Sequence, residues 1–488
     1  MTMSWTQQIA TILPELLLTG YAFVLLLVTL SLRKDQGRLV GYLSLLCTVV
    51  TMGLVARAWW ALPASGVTSF SGMVILDPFG LFLKMVFLLG TLMAILLSLH
   101  FKDLERESAG EYYALLLIAT VGMMFMASSQ NLVMILVSLE TMALCTYLLV
   151  GYLQHERRSN EAALKYFILG AFSSGIFAYG ISLVYGATGS VDLLAIAKAS
   201  HLEAGRPVLM LGVLLMMVSL GFKIAAVPFH MWVPDAYEGA PSPITAFIAT
   251  AAKAAAFAVF LRIFAQGFGS LGGEWTGLVA FLAAASMTVG NVAAIMQDNM
   301  KRMLAYSSIA HGGYALMALV AVGSGGEAAR LGVTAMVVYL LIYTLMNMGA
   351  FGFVIMLRRG NLAGDRVADF AGMSRRAPLA AASMLILMLS LAGIPATAGF
   401  IGKWYLFAAA IRADYTWLAV VAVINSTISL YYYIRVVVYM YVMEPVDEER
   451  YHASPFLVGA LALSVVLTLF IGLYPQPLIE FARAAFLG

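Results

Sequence analysis

Four ionisable residues lie in apolar segments that have no ordinary use for them. Glu140 sits in LVMILVSLETMALCTYLLV, Lys223 in LGFKIAAVPFHMWVP, Lys253 in TAFIATAAKAAAFAVFL and Lys403 in GIPATAGFIGKWYLF. A charge at the centre of a bilayer costs about 2.5–3.5 kcal/mol on insertion scales. Four would cost on the order of 10 kcal/mol, near the whole stability of a domain. Helix adhesion is available more cheaply from Ser, Thr or Asn, so these residues point to an ion pathway. The chemistry that suits them is proton transfer. A lysine in apolar surroundings holds its proton less firmly than a solvated one, and a nearby carboxylate reverses this. A changing Glu140–Lys223 distance would make the lysine release and take up a proton in turn. A charged lysine has no lone pair with which to bind sodium. His311, in AYSSIAHGGYALM, reads either as a relay between Lys253 and Lys403 or as a packed, hydrogen-bonded histidine. His230, just after VPF, has the same two readings. Lys165 follows Glu161 by four residues, the spacing of a local helix pair, and is otherwise a further candidate for proton transfer.

Those residues need a scaffold of membrane helices. The chain has 488 residues, 62% of them hydrophobic and 11% charged, with a mean hydropathy of +0.92, whereas a soluble domain carries about 25% charged residues. The fold class is therefore all-α and polytopic. The net charge of +3 comes from basic residues scattered through short loops, which argues against nucleic acid. Cys47 and Cys145 fall inside apolar runs and cannot supply the roughly four ligands of an iron–sulfur cluster. GFGSLG at 267–272 fits GxGxxG, but it lies between two spans without a βαβ unit and carries no meaning for nucleotides. No Ser-His-Asp or metal-ligand spacing is present. MTMSWTQQIATILPE has no basic n-region or small-residue cleavage site, so the first span is expected to act as the insertion signal.

With about 20 apolar residues per helix as the ruler, fourteen spans are expected. They fall near 9–32, 38–60, 79–101, 111–129, 131–153, 159–187, 207–228, 244–266, 275–297, 301–323, 329–357, 378–412, 416–442 and 454–474. Odd-numbered loops hold fifteen Lys and Arg, among them Arg33, Lys34, Lys102, Arg106, Arg359 and Arg450, against seven on the other side. The positive-inside rule then puts both termini outside, periplasmic in a bacterium. Loop 229–243, on the inner side, has no basic residue, an arrangement that would spare entering protons from repulsion. Lys84 and Arg435, near span ends, are expected to reach the headgroups by snorkelling.

Spans 4–8 and 9–13 form two blocks of five starting near 111 and 275, and the fourth member of each is interrupted by proline. Pro228 and Pro395 are 167 residues apart, close to the 164 between block starts. Five is odd, so the second block must be inverted relative to the first. Broken helices at matching places in inverted halves are a pattern of ion-binding transporters. The expected organisation is 1–110, 111–267, 268–443 and 444–488, with spans 7 and 12 broken.

Read together, FKIAAVPFHMWVPDAYEGAPSPITAFIATAAKAAAFAVFLRIF (222–264) and LAGIPATAGFIGKWYLF (391–407) resemble the antiporter-like membrane subunits of respiratory complex I, in particular the subunit N type of bacterial NADH–quinone oxidoreductase. The resemblance covers essentially all fourteen spans. It implies two inverted five-helix units and a charged axis through Glu140, Lys223, Lys253 and Lys403. It further implies proton translocation coupled to quinone reduction, as one subunit of a translocase. FMN, iron–sulfur clusters, NADH and quinone would sit on partner subunits and no cofactor on this chain. Partners would be neighbouring antiporter-like and small membrane subunits and lipid, in a bacterial inner membrane. The sister subunit L continues into a long lateral helix, and subunit M carries Glu where this chain has Lys403. Subunits of multisubunit cation/proton antiporters share the fold and are the alternative, disfavoured by PDAYEGAPSP and the placement of Lys253. A purely structural membrane subunit is the alternative of a different class.

Overall fold

The computed structural model describes residues 4–31, 37–63, 66–101, 103–104, 107–200, 205–358, 364–445 and 453–485. The loop residues Arg33, Lys34, Lys102, Arg106, Arg359 and Arg450 lie outside these ranges. Among the described residues, thirteen helices are long and apolar enough to cross a membrane. The first six are α1 (Leu13–Ser31), α2 (Gly37–Ala61), α3 (Pro78–Ser98), α4 (Ala109–Ser128), α5 (Leu132–Val150) and α6 (Arg157–Thr188). α7 (Arg206–Lys223) is followed by the short α8 (Val233–Gly239). The next span opens as α9 (Ser242–Phe247) and continues through a π-helical turn, Ile248–Ala252, into α10 (Lys253–Arg262). Then come α11 (Gly272–Ile295), α12 (Met300–Gly323) and α13 (Gly326–Leu357). Where one span is expected at 378–412 there are two helices, α14 (Pro378–Ala392) and α15 (Ala398–Arg412). α16 (Thr416–Tyr441), α17 (Pro455–Leu473) and the short amphipathic α18 (Gln476–Ala484) close the chain. One feature outside the all-α expectation is a small hairpin, β1 (Val67–Ser69) and β2 (Val74–Leu76), paired antiparallel with Val67 opposite Leu76.

Local chemistry explains where the spans start. A helix leaves its first N–H groups without partners, and short polar side chains at the N-cap accept from them. Asp77 accepts from the Gly80 N–H at 2.8 Å to open α3, with Pro78 next in the chain. Asn131 does the same for α5, Asn299 for α12 and Ser454 for α17.

Burial locates the core. The most apolar window of the α9–α10 span is wholly buried, and 94% of it is buried in α12 and in α13, against 28% in α1 and 39% in α2. The central helices are therefore those that carry Lys253 and His311. α8 packs on both α6 and α12, and so joins two helices that are far apart in the sequence.

Candidate functional site

The site is two polar clusters threaded through this core. The first surrounds the end of α7. Lys223 closes that helix, and residues 224–232 form turns before α8 begins. Ala225 takes a left-handed backbone, φ 64°, a conformation that costs a non-glycine residue of order 1 kcal/mol. The unwound backbone finds partners within the protein, as it must in a membrane. Val227 N–H donates to the Ser286 hydroxyl at 2.9 Å, and the Trp232 indole N–H donates to the Phe222 carbonyl at 3.0 Å. Lys223 is buried, and its Nζ donates to the Tyr147 hydroxyl at 3.1 Å, 5.5 Å from the same ring's centroid. Gly170 on α6 makes this possible, since a Cβ there would overlap the Tyr147 hydroxyl.

Glu140 accepts a hydrogen bond from the Ser174 hydroxyl. Among the described residues, no ion pair joins Glu140 to Lys223. Both Glu140 and Tyr147 lie on α5, seven residues apart, which puts them on one face about 10 Å apart along the axis. Tyr147 thus brings the lysine to the helix that carries the carboxylate.

The second cluster is held by α12. Lys253, immediately after the π-helical turn, donates to the Ser308 carbonyl at 2.8 Å and to the Ser308 hydroxyl. Tyr343 donates to that hydroxyl at 2.8 Å. One turn further along α12, His311 meets Tyr339 through Nδ1 and Tyr433 through Nε2, the latter at 3.1 Å. The His311 ring also lies 5.8 Å from that of Tyr314, over which Lys403 Nζ sits at 4.9 Å. Lys403 reaches back from α15 to the end of α14, donating to the Leu391 carbonyl at 3.1 Å, the Ala392 carbonyl at 2.8 Å and the Ser426 hydroxyl at 2.9 Å. The carbonyl end of a helix carries partial negative charge, so the ammonium is well placed. Ala396 between the two half-helices is left-handed, φ 68°. The structure therefore brings Lys253, His311 and Lys403 into one buried network.

Lys165 belongs elsewhere. It is 46% exposed and pairs with Glu161 at 2.8 Å, the local partner, and also with Asp235 of α8 at 2.8 Å. Arg302 of α12 meets Asp235 at 2.9 Å and Glu238 at 2.8 Å. Burial pushes the Asp235 carboxyl up, but hydrogen bonds from Lys165 and Arg302 outweigh it and hold the group below the usual carboxylate range. His230 is half-buried in the break, apart from both clusters.

Three sequence expectations are corrected. Loop 229–243 carries no basic residue of its own, yet Lys165 and Arg302 lie on its carboxylates and buried Lys301 donates to its Glu238 and Ala240 carbonyls. Low positive charge at this mouth is not a property of the fold. Lys84 does not snorkel: it is fully buried 2.6 Å from Glu15, equally buried in the first turn of α1. Arg435 finds protein partners in place of headgroups, the Ile295 and Gln297 carbonyls at and just after the end of α11 and the exposed Asp298 carboxylate at 3.8 Å. Sequence reading also missed Tyr147, Ser174, Ser308, Tyr339, Tyr433 and Ser426. Their signal was position, since Ser308 and His311 are three apart on one helix and Glu140 and Tyr147 seven apart on another.

Among the described residues, no group of three or more His, Cys, Asp or Glu side chains could hold a metal. Comparison with known proteins places this arrangement. Residues 129–429 match the family model described as NADH:quinone oxidoreductase/Mrp antiporter, TM. NADH-quinone oxidoreductase subunit N 1 of Koribacter versatilis is 45% identical over 474 residues, 95% of this chain and 92% of that protein. The chain belongs to the NADH-quinone oxidoreductase subunit N family. Subunit N 2 of Rhizobium meliloti is also 45% identical, over 97% of both chains. A chain of respiratory complex I from Thermus thermophilus superimposes with a TM-score of 0.81 at 33% identity, covering 96% of this chain and 99% of that one. A chain of the Mrp complex from Dietzia superimposes with 0.82 at 23% identity, which shows the shared fold alone.

Proposed function

We propose that this chain moves protons across the membrane as the subunit N of a NADH–quinone oxidoreductase, a translocase subunit driven by quinone reduction on its partners. The observation that carries this reading is the buried network of Lys253, Ser308, His311, Tyr314 and Lys403 in the most enclosed part of the molecule. Charges that deep require a use. In this reading Lys223, Lys253 and Lys403 take up and release protons and Glu140 biases Lys223 through the space occupied by Tyr147. His311 carries protons between Lys253 and Lys403, and His230 and Lys165 line the approach to the first break. Each charge moved against 100 mV requires about 2.3 kcal/mol.

The two blocks, 111–267 and 268–443, act as inverted repeats, flanked by 1–110 and 444–488. Two supports for that pairing are the non-glycine residues in left-handed backbone at the two breaks, Ala225 and Ala396. Both termini face the periplasm and the chain resides in a bacterial inner membrane. FMN, iron–sulfur clusters, NADH and quinone belong to partner subunits, which include neighbouring antiporter-like and small membrane subunits.

The test is NADH-driven proton pumping in vesicles carrying the assembled complex with Lys253→Ala. Lost pumping with normal complex content supports the reading. Unchanged NADH-driven pumping alongside lost cation/proton exchange would move the chain to the antiporters.

A further inference from the structure

Tyr166 and Trp232 belong to neither polar cluster, and both are buried. Trp232 is the last residue of the break 224–232, directly ahead of α8. It is fastened on three sides. Its indole N–H donates to the Phe222 carbonyl at 3.0 Å, which ties the end of the break to the turn that ends in Lys223. Its ring lies flat on Tyr166 of α6, with centroids 4.3 Å apart and an interplanar angle of 8°. It also meets Tyr237 of α8 edge-on, with centroids 6.4 Å apart and an interplanar angle of 73°. Each of these neighbours leads to a lysine. Tyr166 packs edge-on to Tyr147 with centroids 4.6 Å apart, and Tyr147 accepts the Lys223 hydrogen bond. The buried Tyr237 hydroxyl stands 3.4 Å from that of Ser308, the residue that holds Lys253. Among the described residues no hydrogen bond runs directly from one cluster to the other, and these rings form a packed route between them.

We infer, resting on the proton-transfer reading above, that Trp232 is a positioning residue that couples the two polar clusters, so that a shift of the break at Lys223 alters the surroundings of Lys253. The physical basis is stiffness. Side chains packed at crystal-like density transmit a displacement instead of absorbing it. A flat ring has few side-chain torsions, whereas a long flexible side chain in its place would give way. The break is also the part of α7 and α8 best able to take a second arrangement, because its backbone lacks a regular helical ladder. Any such rearrangement moves Trp232, since the indole is bonded across the break. Tyr166 then carries the motion to Tyr147, and Tyr237 carries it to Ser308. Trp232 itself relays no proton, because an indole N–H only donates.

The experiment is a mutant cycle read as protons pumped per NADH oxidised, in proteoliposomes carrying the assembled complex, with complex content checked for every variant. Tyr147→Phe and Ser308→Ala alter the two far ends of the route. With Trp232 in place, the double variant is expected to depart by about fivefold from the product of the single effects, as for residues that act through shared partners. In a Trp232→Leu background the same cycle should be multiplicative to within about twofold, as for independent sites. Trp232→Phe keeps a ring on Tyr166 and should retain most of the coupling, while Tyr166→Leu breaks the stack at the next ring and should remove it. A role in packing alone would lower complex content in the Leu variants and leave the coupling unchanged. A multiplicative cycle with Trp232 present would overturn the coupling role while leaving the lysine pathway standing, and so would coupling undiminished in both Leu variants. Pumping unchanged in Tyr147→Phe and in Ser308→Ala would overturn the proton-transfer reading, and the coupling with it.

Discussion

Two interrupted regions, 224–232 and 393–397, place a buried lysine at the carbonyl end of a half-helix by opposite routes. Lys223 is the last residue of its own half-helix, and a single hydroxyl, that of Tyr147, accepts its hydrogen bond. Lys403 comes from the following half-helix and bonds two carbonyls of the preceding one plus Ser426. Lys403 therefore joins α14 to α15 as well as carrying charge, while Lys223 ties α7 to α5 through one hydroxyl. The lesson is that equal charges at the two breaks are unequal in what they support. The looser lysine is suited to exchange its proton as its partner moves, and the tighter one to gate by the separation of its half-helices.

The largest expected effect separates these two duties. Lys403→Met should abolish pumping and also lower the amount of assembled complex, because the buried Leu391 carbonyl loses its donor and that of Ala392 keeps only the Ser426 hydroxyl. Lys223→Met should abolish pumping with complex content unchanged. Blue-native gels beside pumping assays check this, and equal assembly of the two variants would break the comparison. Next in size, Tyr147→Phe should lower pumping about tenfold, as expected for loss of one hydrogen bond to a charge. Ser426→Ala should lower it only about twofold, since the two carbonyls still hold Lys403. Gly170→Ala should act in the same direction as Tyr147→Phe, and the double variant should be no worse than the stronger single one, because both act on one hydroxyl.

The smallest effect belongs to the charge cluster where α8 meets α6 and α12. Asp235 has its carboxyl held below the usual range. Its contribution to stability is therefore present above the ordinary carboxylate value of about 3.9 and lost as pH falls through its lower folded value. Asp235→Asn should flatten that acid limb in thermal unfolding of the complex. At neutral pH it should cost only about 0.2–1 kcal/mol, the range of solvent-exposed pairs.

The sequence made the spans and the central charges legible, because hydropathy marks the first and solvation cost the second. The end of α7 at Lys223 and the gap between Ala392 and Ala398 were also foreseeable from Pro228 and Pro395. What was not legible depends on which faces meet. Tyr147 and Ser308 sit in apolar runs where they read as packing, and only the approach of α7 and α10 gives them a role. Glu15 stands one turn into α1, where a carboxylate reads as interfacial. The packing of α1 on α2 and α4 brings it to Lys84 of α3. The charge on loop 229–243 was misread for the same reason, its cations coming from α6 and α12.

The most direct measurement is the ratio of protons pumped to NADH oxidised in proteoliposomes carrying the complex, wild type beside Lys223→Ala and Glu140→Ala, at equal complex content. The account predicts a lower ratio in Glu140→Ala and a ratio near zero in Lys223→Ala. An unchanged ratio in Lys223→Ala would contradict the claim that protons travel through this subunit's buried lysines.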